Sequence, residues 1–372
     1  MLNLKKSRAR AAGLAMATSL VAIATSCGSS GKASTAQNTT LPPQISAVPA
    51  GVNLAGPPGT PAPKPLTSAV VLKVGIPSKL ELEAPIFLAQ DEGEFAKENL
   101  KVSFVYDTVP NLLTLLGENR IDLVYAGAQA LVFNAIHSGI PIRWVSGVAS
   151  AAPDSGLFIS TKYGSSSSSF NPAVLKGLTI GVNPGGLAAP SEYGLYYALK
   201  QAGLSSSSIK MVSFNDPGSM VSALASGQIQ GATLGPPYTS ALQPGTAFQA
   251  EPGYPPTIQI AGYFSTTRLL QQNRAAGVAF FRAIERTINT YLTGNYHQNK
   301  VVMTLMAKDL GTTVAELDLA PSVPFDLSIP PATVLALQQM YQAVPGTLQY
   351  SGEIQPSALV DLSLVVDAAE GK

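Results

Sequence analysis

The chain is 372 residues long, 46% hydrophobic and only 12% charged, with a formal net charge of +1. Four of its basic residues and no acidic one lie in the first 27, so the remainder is about −3, a balance without the basic footprint of a nucleic-acid-binding surface. One cysteine and two histidines leave no Cys/His cluster to hold zinc, and neither a Ser nucleophile elbow nor a phosphate-cradling loop ending in Lys-Ser or Lys-Thr is present.

Residues 1–27 read as an export signal rather than as part of the fold. Lys5, Lys6, Arg8 and Arg10 form a positive start, and Ala11 to Ser26 is apolar and too short to span a bilayer comfortably. The end, Ala24-Thr25-Ser26-Cys27-Gly28, resembles the bacterial lipobox, in which the cysteine is lipidated; Ala24 departs from the usual leucine, and ordinary cleavage after Ala24 is the alternative. A lone cysteine at the foot of a signal cannot form an intrachain disulfide, which favours Cys27 as a lipid attachment point. Residues 28–68 are rich in Pro, Gly, Ser, Thr and Ala, carry only Lys32 and Lys64 as charges and show no period. They are expected to be a disordered tether. The 304 residues from 69 onward suffice for two domains with cores of their own.

In the first half, strands are expected at Val70–Ile76, Lys101–Tyr106 and Ile142–Gly147, with a helix opened by Ala84-Pro85 and another over Ala130–His137. Between them stands a stretch that occurs twice. NLLTLLGENRIDLVYAGAQ, Asn111 to Gln129, is echoed by SMVSALASGQIQGATLGPP, Ser219 to Pro237. With Ile121 set against Ile229, Leu113 meets Val221, Leu116 meets Leu224 and Gly127 meets Gly235. Each copy reads as an amphipathic helix, a turn and a short apolar strand, a unit that cannot bury its own apolar face. Two copies about a hundred residues apart imply two similar α/β sheets, with ligands expected at the carboxyl ends of the strands along a shared cleft. A chance match between two ordinary helix-strand units is the bland alternative.

The order VLKVGI, APIFLAQDEGEFAKENLKVSF, ENRIDLVYAGAQA, SGIPIRWVSGVAS, then VLKGLTIGVNPGG and ALASGQIQGATLGPPYTSAL, resembles the solute-binding proteins of bacterial ABC importers. The nitrate, sulfonate, taurine and thiamine-precursor branch is the nearest. The resemblance covers about Val70 to Leu242. It implies an α/β periplasmic-binding type II fold of two lobes, each a mixed sheet flanked by helices, with a cleft between. Lobe I would comprise 69–155 and 251–372, and lobe II 156–250. It also implies an extracytoplasmic, membrane-anchored monomer that hands a small solute to an ABC permease and its ATPase, without a cofactor or metal. A pyrimidine-forming enzyme of this fold depends on a cysteine-rich segment and histidines that this chain lacks. An enzyme such as a lyase or dehydratase, or an anchored sensor domain, are the alternative readings.

In the second half, Leu157–Ser160 is an apolar run near the crossing between lobes, Gly164–Ser169 a serine-rich loop, and Leu178–Val182 a strand ending in Asn183-Pro184-Gly185-Gly186. A helix is expected from there to Ala202. Gly185 and Gly186 either make a tight turn or offer N–H groups to an anionic or polar head. Ile209–Phe214 and Thr257–Phe264 are expected strands, and Ala275–Leu292, Val301–Leu310, Ala332–Val344 and Pro356–Ala369 expected helices, with Met303, Leu305 and Met306 as core. Arg268 and Arg274 are expected in solvent, His137 at a helix end or surface, and Glu81 and Glu83 in a solvated loop. The turns after strands supply the candidate ligand contacts: Pro77, Ser78, Glu81, Thr108, Gly127, Ala128, Gln129, Gly185, Gly186, Asp216, Pro236 and Tyr238. Of these Ser78, Thr108 and Gln129 would hydrogen-bond the solute, and Tyr238 would wall it or pack in the core.

Overall fold

The computed structural model describes residues 43–55, 59–149, 154–254 and 258–372. The signal, Cys27 and the first part of the tether lie outside them.

Apolar alternation and β-branched residues set the strands, and Pro or small residues open the helices. The chain runs β1 (Val70–Ile76), α1 (Ala84–Asp91), β2 (Leu100–Tyr106), α2 (Val109–Gly117), β3 (Leu123–Gly127), α3 (Ala130–His137) and β4 (Ile142–Gly147). It continues with β5 (Gly156–Ser160), β6 (Thr179–Val182), α4 (Tyr193–Gln201), β7 (Lys210–Ser213), α5 (Pro217–Ala225), β8 (Gly231–Leu234) and β9 (Ala247–Pro252). Then come β10 (Ala261–Thr266), α6 (Thr267–Gln271), α7 (Arg274–Tyr291), α8 (Lys300–Leu310), α9 (Val314–Leu317), α10 (Pro331–Gln342), α11 (Pro356–Leu359) and α12 (Ser363–Ala369).

The strands form two five-stranded mixed sheets, ordered β2-β1-β3-β10-β4 and β7-β6-β8-β5-β9. The two orders are the same arrangement: β1, β2 and β3 correspond to β6, β7 and β8, and one antiparallel strand, β10 or β5, follows in each. The repeat extends to single contacts. Asp122 and Gln230 each accept a bond from the backbone of the first strand, Lys73 N at 2.9 Å and Thr179 N at 3.0 Å. Gly75 and Gly181 each lie under a helix: a methyl there would stand 2.7 Å from Leu112 Cδ2 in one sheet and 2.8 Å from Met220 Cγ in the other. Ile121 and Ile229, the pair that sets the alignment, are both buried. The duplicated stretch is therefore a duplicated helix-strand layer and not a chance match.

Several expectations need correction. The helix expected to run from Gly186 to Ala202 is two 3₁₀ turns, Gly186–Ala188 and Pro190–Glu192, followed by α4. Pro190 lacks the N–H that would continue a helix and pushes Ala189 into extended backbone. The helix expected over Pro356–Ala369 is broken at Val360, which leaves helical geometry to bridge Trp144 of β4. Strand β9 was not foreseen.

The tether is not disordered where it is described. Leu54 is buried, and Ile45, Val48, Val52 and Leu66 pack on the core of lobe I. Leu362 N donates to Ile45 O at 2.6 Å, Leu327 N to Leu54 O at 2.8 Å and Leu66 N to Glu98 O at 3.0 Å. Residues 43–55 and 59–68 thus form a strap laid across finished structure, which repays its ordering by covering apolar surface its own composition could not gather.

Under the strap, α7 carries Arg282 and Arg286 into a buried network. Arg282 pairs with Glu98 at 2.6 Å, Arg286 with Glu94 at 2.8 Å and Glu98 at 2.5 Å, and Arg282 also donates to Lys64 O at 3.0 Å. Burial works against the charge of Glu98, and the two guanidiniums outweigh it, so its carboxyl stays below the usual range. Arg274, expected in solvent, instead bonds Ser363 Oγ at 3.0 Å and pairs with Asp367. His137 stacks on Tyr350 with ring centres 4.5 Å apart. Met303 and Met306 are core, as expected.

Candidate binding cleft

The carboxyl ends of β1 and β8, one from each lobe, face a shared cavity of about 320 Å³. Lys79 to Leu82, from the turn after β1, form one wall, and Pro236, Pro237 and Tyr238, from the turn after β8, form another. Leu310 at the end of α8, Leu317 of α9, and Thr312, Glu316, Ala320, Pro321 and Val323 complete it. The lining is mostly apolar, with a few polar groups at the edges, the composition of a site that encloses a small organic molecule. The lobes also meet away from the cavity: Ser240 Oγ donates to Leu319 O, and Pro190 Cγ is 3.7 Å from where a Cβ on Gly127 would lie.

The acidic pair before α1 is not solvated. Glu81 accepts bonds from Tyr296 Oη and, at 2.7 Å, pairs with His297 Nε2. Glu83 is 1% exposed and takes one donor on each oxygen, Ser78 Oγ and Leu80 N, both at 2.8 Å. Burial raises its carboxyl to about 7 against the pull of those two bonds. The phenol of Tyr125 on β3 is buried and without a hydrogen-bond partner among the described residues. Burial, and then the neighbouring Glu83, hold that phenol well above its ordinary range. Tyr254, on the segment returning from lobe II, is also buried, and burial raises its phenol against a hydrogen bond with Ser155.

Lobe II carries the counterpart. Glu192 also ends a 3₁₀ turn and immediately precedes a helix, α4, as Glu83 precedes α1. It is fully buried, and Oε1 accepts from Asn183 N and Nδ2, both at 3.0 Å. Thr233 stands on β8 where Tyr125 stands on β3, and the other carboxylate oxygen of Glu192, Oε2, is buried with no hydrogen-bond partner among the described residues. Burial raises its carboxyl despite these bonds.

The structure brings Glu81, Pro236 and Tyr238 together in the cavity wall, with Pro77 and Ser78 adjoining. Other candidates are turned to internal duties. Thr108 is exposed at the start of α2. Asp216 is exposed too, capping α5 through Gly218 N, Ser219 N and Ser219 Oγ, and the Ser219 hydroxyl first of all holds its carboxyl low. Ala128 N donates to Ile260 O at 2.8 Å and Ala128 O accepts from Tyr341 Oη at 2.6 Å. Gln129 N closes a turn on Gly127 O.

At Gly185-Gly186 the turn uses one of the two N–H groups expected to meet an anionic or polar head. Gly185 takes the left-handed backbone that glycine allows, and Gly186 N bonds Asn183 O at 3.0 Å. That N–H is spent inside the turn, and the α-helix it was to open begins only at Tyr193. The cavity-lining residues missed from sequence include Leu80, Leu82, Leu310 and Leu317. Extending the repeat from α2-β3 to β1-α1 would have paired Glu83 with Glu192 and drawn attention to both. Among the described residues no group of three or more His, Cys, Asp or Glu is placed to hold a metal ion.

Two sheets of one topology joined by crossovers, with the strand ends of both at one cavity, define the two-lobed periplasmic-binding-protein architecture. The NMT1/THI5-like family model matches residues 83–293, more than half of the sequence, and the chain belongs to that family. No curated protein matches the sequence. Among solved structures, the periplasmic aliphatic sulphonate-binding protein SsuA of Escherichia coli is similar at 20% identity and a TM-score of 0.57, over 77% of this chain and 94% of that one. The periplasmic nitrate-binding protein NrtA of Synechocystis PCC 6803 is similar at 12% identity and a TM-score of 0.55, over 81% and 89%. The desulfurization enzyme DSZB is similar at 14% identity and a TM-score of 0.55, over 81% and 99%. These likenesses show the fold, which binding proteins and an enzyme share.

Proposed function

We propose that this protein captures a small organic solute between its lobes and delivers it to an ABC importer, outside the membrane and tethered by a lipid on Cys27. The observation that carries the reading is the cavity walled by the β1 turn of one lobe and the β8 turn of the other. A solute held there touches both lobes at once and so favours the arrangement in which they are closed together. The cleft supports capture rather than catalysis, because both acids in its wall are already tied, Glu81 to Tyr296 and His297 and Glu316 to Thr312 and Thr313. Sulfonate and nitrate, bound by the proteins SsuA and NrtA, are the first solutes to try, with neutral and cationic compounds beside them.

Titration calorimetry with such a panel is expected to find a solute that binds one to one. Tyr238→Ala is expected to weaken it about tenfold, through lost wall area. If no solute binds, or if turnover of one is detected instead, the reading fails. The anchor is tested separately: Cys27→Ala is expected to move the protein from the membrane fraction to the soluble fraction of the cells that make it.

A further inference from the structure

Arg282, Glu285, Arg286 and Asn289 follow one another on α7 at the spacing of a single helix face. Three of the four are answered. Arg282 pairs with Glu98 and donates to Lys64 O of the strap, Arg286 pairs with Glu94 and Glu98, and Asn289 Nδ2 donates to Gly59 O of the strap at 3.2 Å. Glu285, in the middle of the stripe, is not. It is 7% exposed, and its Oε2 is buried with no partner among the described residues. No donor and no charge among them counters the burial of its carboxyl. The guanidiniums on either side are spent on the other two glutamates.

Glu285 lines a cavity of about 430 Å³ bounded by the strap, α7 and the end of α12. This cavity shares no lining residue with the cleft cavity among the described residues. Val52, Pro61 and Ala369 give it apolar walls, and Asn53 and Glu370 are polar members of the lining. Glu370 is already paired with Lys372 at 2.5 Å, and the same ammonium holds Asp367 at 3.0 Å. One carboxylate of the lining is therefore left without a counter-charge. A hard metal ion needs about six oxygen ligands, and among the described residues no group of three or more His, Cys, Asp or Glu is placed to hold one. A single carboxylate beside apolar walls suits an organic cation instead. Its N–H groups would make charge-assisted bonds, about twice as strong as neutral ones, and its carbon stem would cover the walls.

We propose that this cavity is a second binding site, for a small monovalent organic cation: a primary ammonium bonded to Glu285, with its stem against Val52, Pro61 and Ala369. A molecule held there touches the strap, α7 and the end of α12 at once, and so fastens the strap to lobe I. The site is separate from the cleft and does not depend on the capture reading.

Calorimetry on the full chain at pH 8 with butylammonium, butanol and butyrate, which share one stem, and with calcium chloride tests the site. Butylammonium is expected to bind about tenfold or more tightly than butanol or butyrate. Glu285→Gln, which keeps the shape of the side chain and removes its charge, is expected to weaken it about tenfold or more. Ala369→Leu, which narrows the cavity and leaves the carboxylate, is expected to weaken it as well, and Tyr238→Ala in the cleft is expected to leave it unchanged. In thermal unfolding the amine is expected to raise the melting temperature of the parent and not that of Glu285→Gln. If Ala369→Leu does not fold, Glu285→Gln still decides. Butanol binding as tightly as butylammonium overturns the charge recognition. Binding that Glu285→Gln leaves unchanged, or that Tyr238→Ala weakens as much, overturns the location. Calcium binding that Glu285→Gln abolishes, with butylammonium silent, overturns the organic class, and silence of every probe overturns the site.

Discussion

Glu285 on α7 is a carboxylate with one buried oxygen that nothing answers among the described residues. It is 7% exposed, its Oε2 has no partner among the described residues, and burial alone raises its carboxyl to about 7. The sign of the consequence follows from linkage. The unfolded chain gives up this proton near the ordinary 4.5, whereas the folded protein keeps it until about 7. The stability it contributes is whole below 4.5 and is lost as pH rises through about 7. Glu285→Gln never acquires the charge. It is expected to match the parent at pH 4 and to exceed it by about 3 kcal/mol at most at pH 8, measured by urea unfolding at both values. Glu83 is raised to the same value, but its two donors make the glutamine exchange there a mixed change.

At the scale of the element, the repeat is a rule about layers. In each lobe a helix and the isoleucine before the next strand press on a glycine of the first strand, and a side chain two residues after the turn ties that strand down. Gly75→Val and Gly181→Val would each force a branched side chain into that layer. Each is expected to cost about 1–3 kcal/mol in urea unfolding, and the two values are expected to agree, because the contacts correspond. Unequal costs, with one near zero, would show that the layers differ in tightness. Helix α2 and strand β3 were legible because their stripe and alternation are local. The break at Pro190 was legible in principle as well, since a proline that far into an expected helix marks its end.

For the whole molecule, binding in a cleft between lobes predicts a linked gain in stability. A solute at a hundredfold excess over its Kd is expected to add about 2.7 kcal/mol to the unfolding free energy if only the folded state binds it. Thermal unfolding with and without solute checks this, and a solute that binds by calorimetry without raising the melting temperature would contradict it. Here the strap also matters. Its composition reads as tether, because proline, glycine and small polar residues cannot build a core. Lobe I nevertheless offers Leu54, Ile45 and Leu66 a surface already formed. Such docking cannot be read from the strap's own residues, since its partners lie at Glu98, Leu327 and Leu362.

What the chain alone determined was whatever repeats over a few residues: the paired helix-strand units, hence two α/β sheets, and the resemblance carried by the turns between them. Tertiary structure decided which of those turns remain free to meet a solute. Gly186, Ala128 and Asp216 look like binding groups in the sequence, yet their N–H groups or carboxylate are consumed within the fold. Glu83 looks like a solvated loop acid and is buried, with Ser78 Oγ and Leu80 N bonded to it. A polar group's availability depends on every donor and acceptor that folding brings within about 3 Å of it, and that is a property of the packed molecule, not of its local pattern.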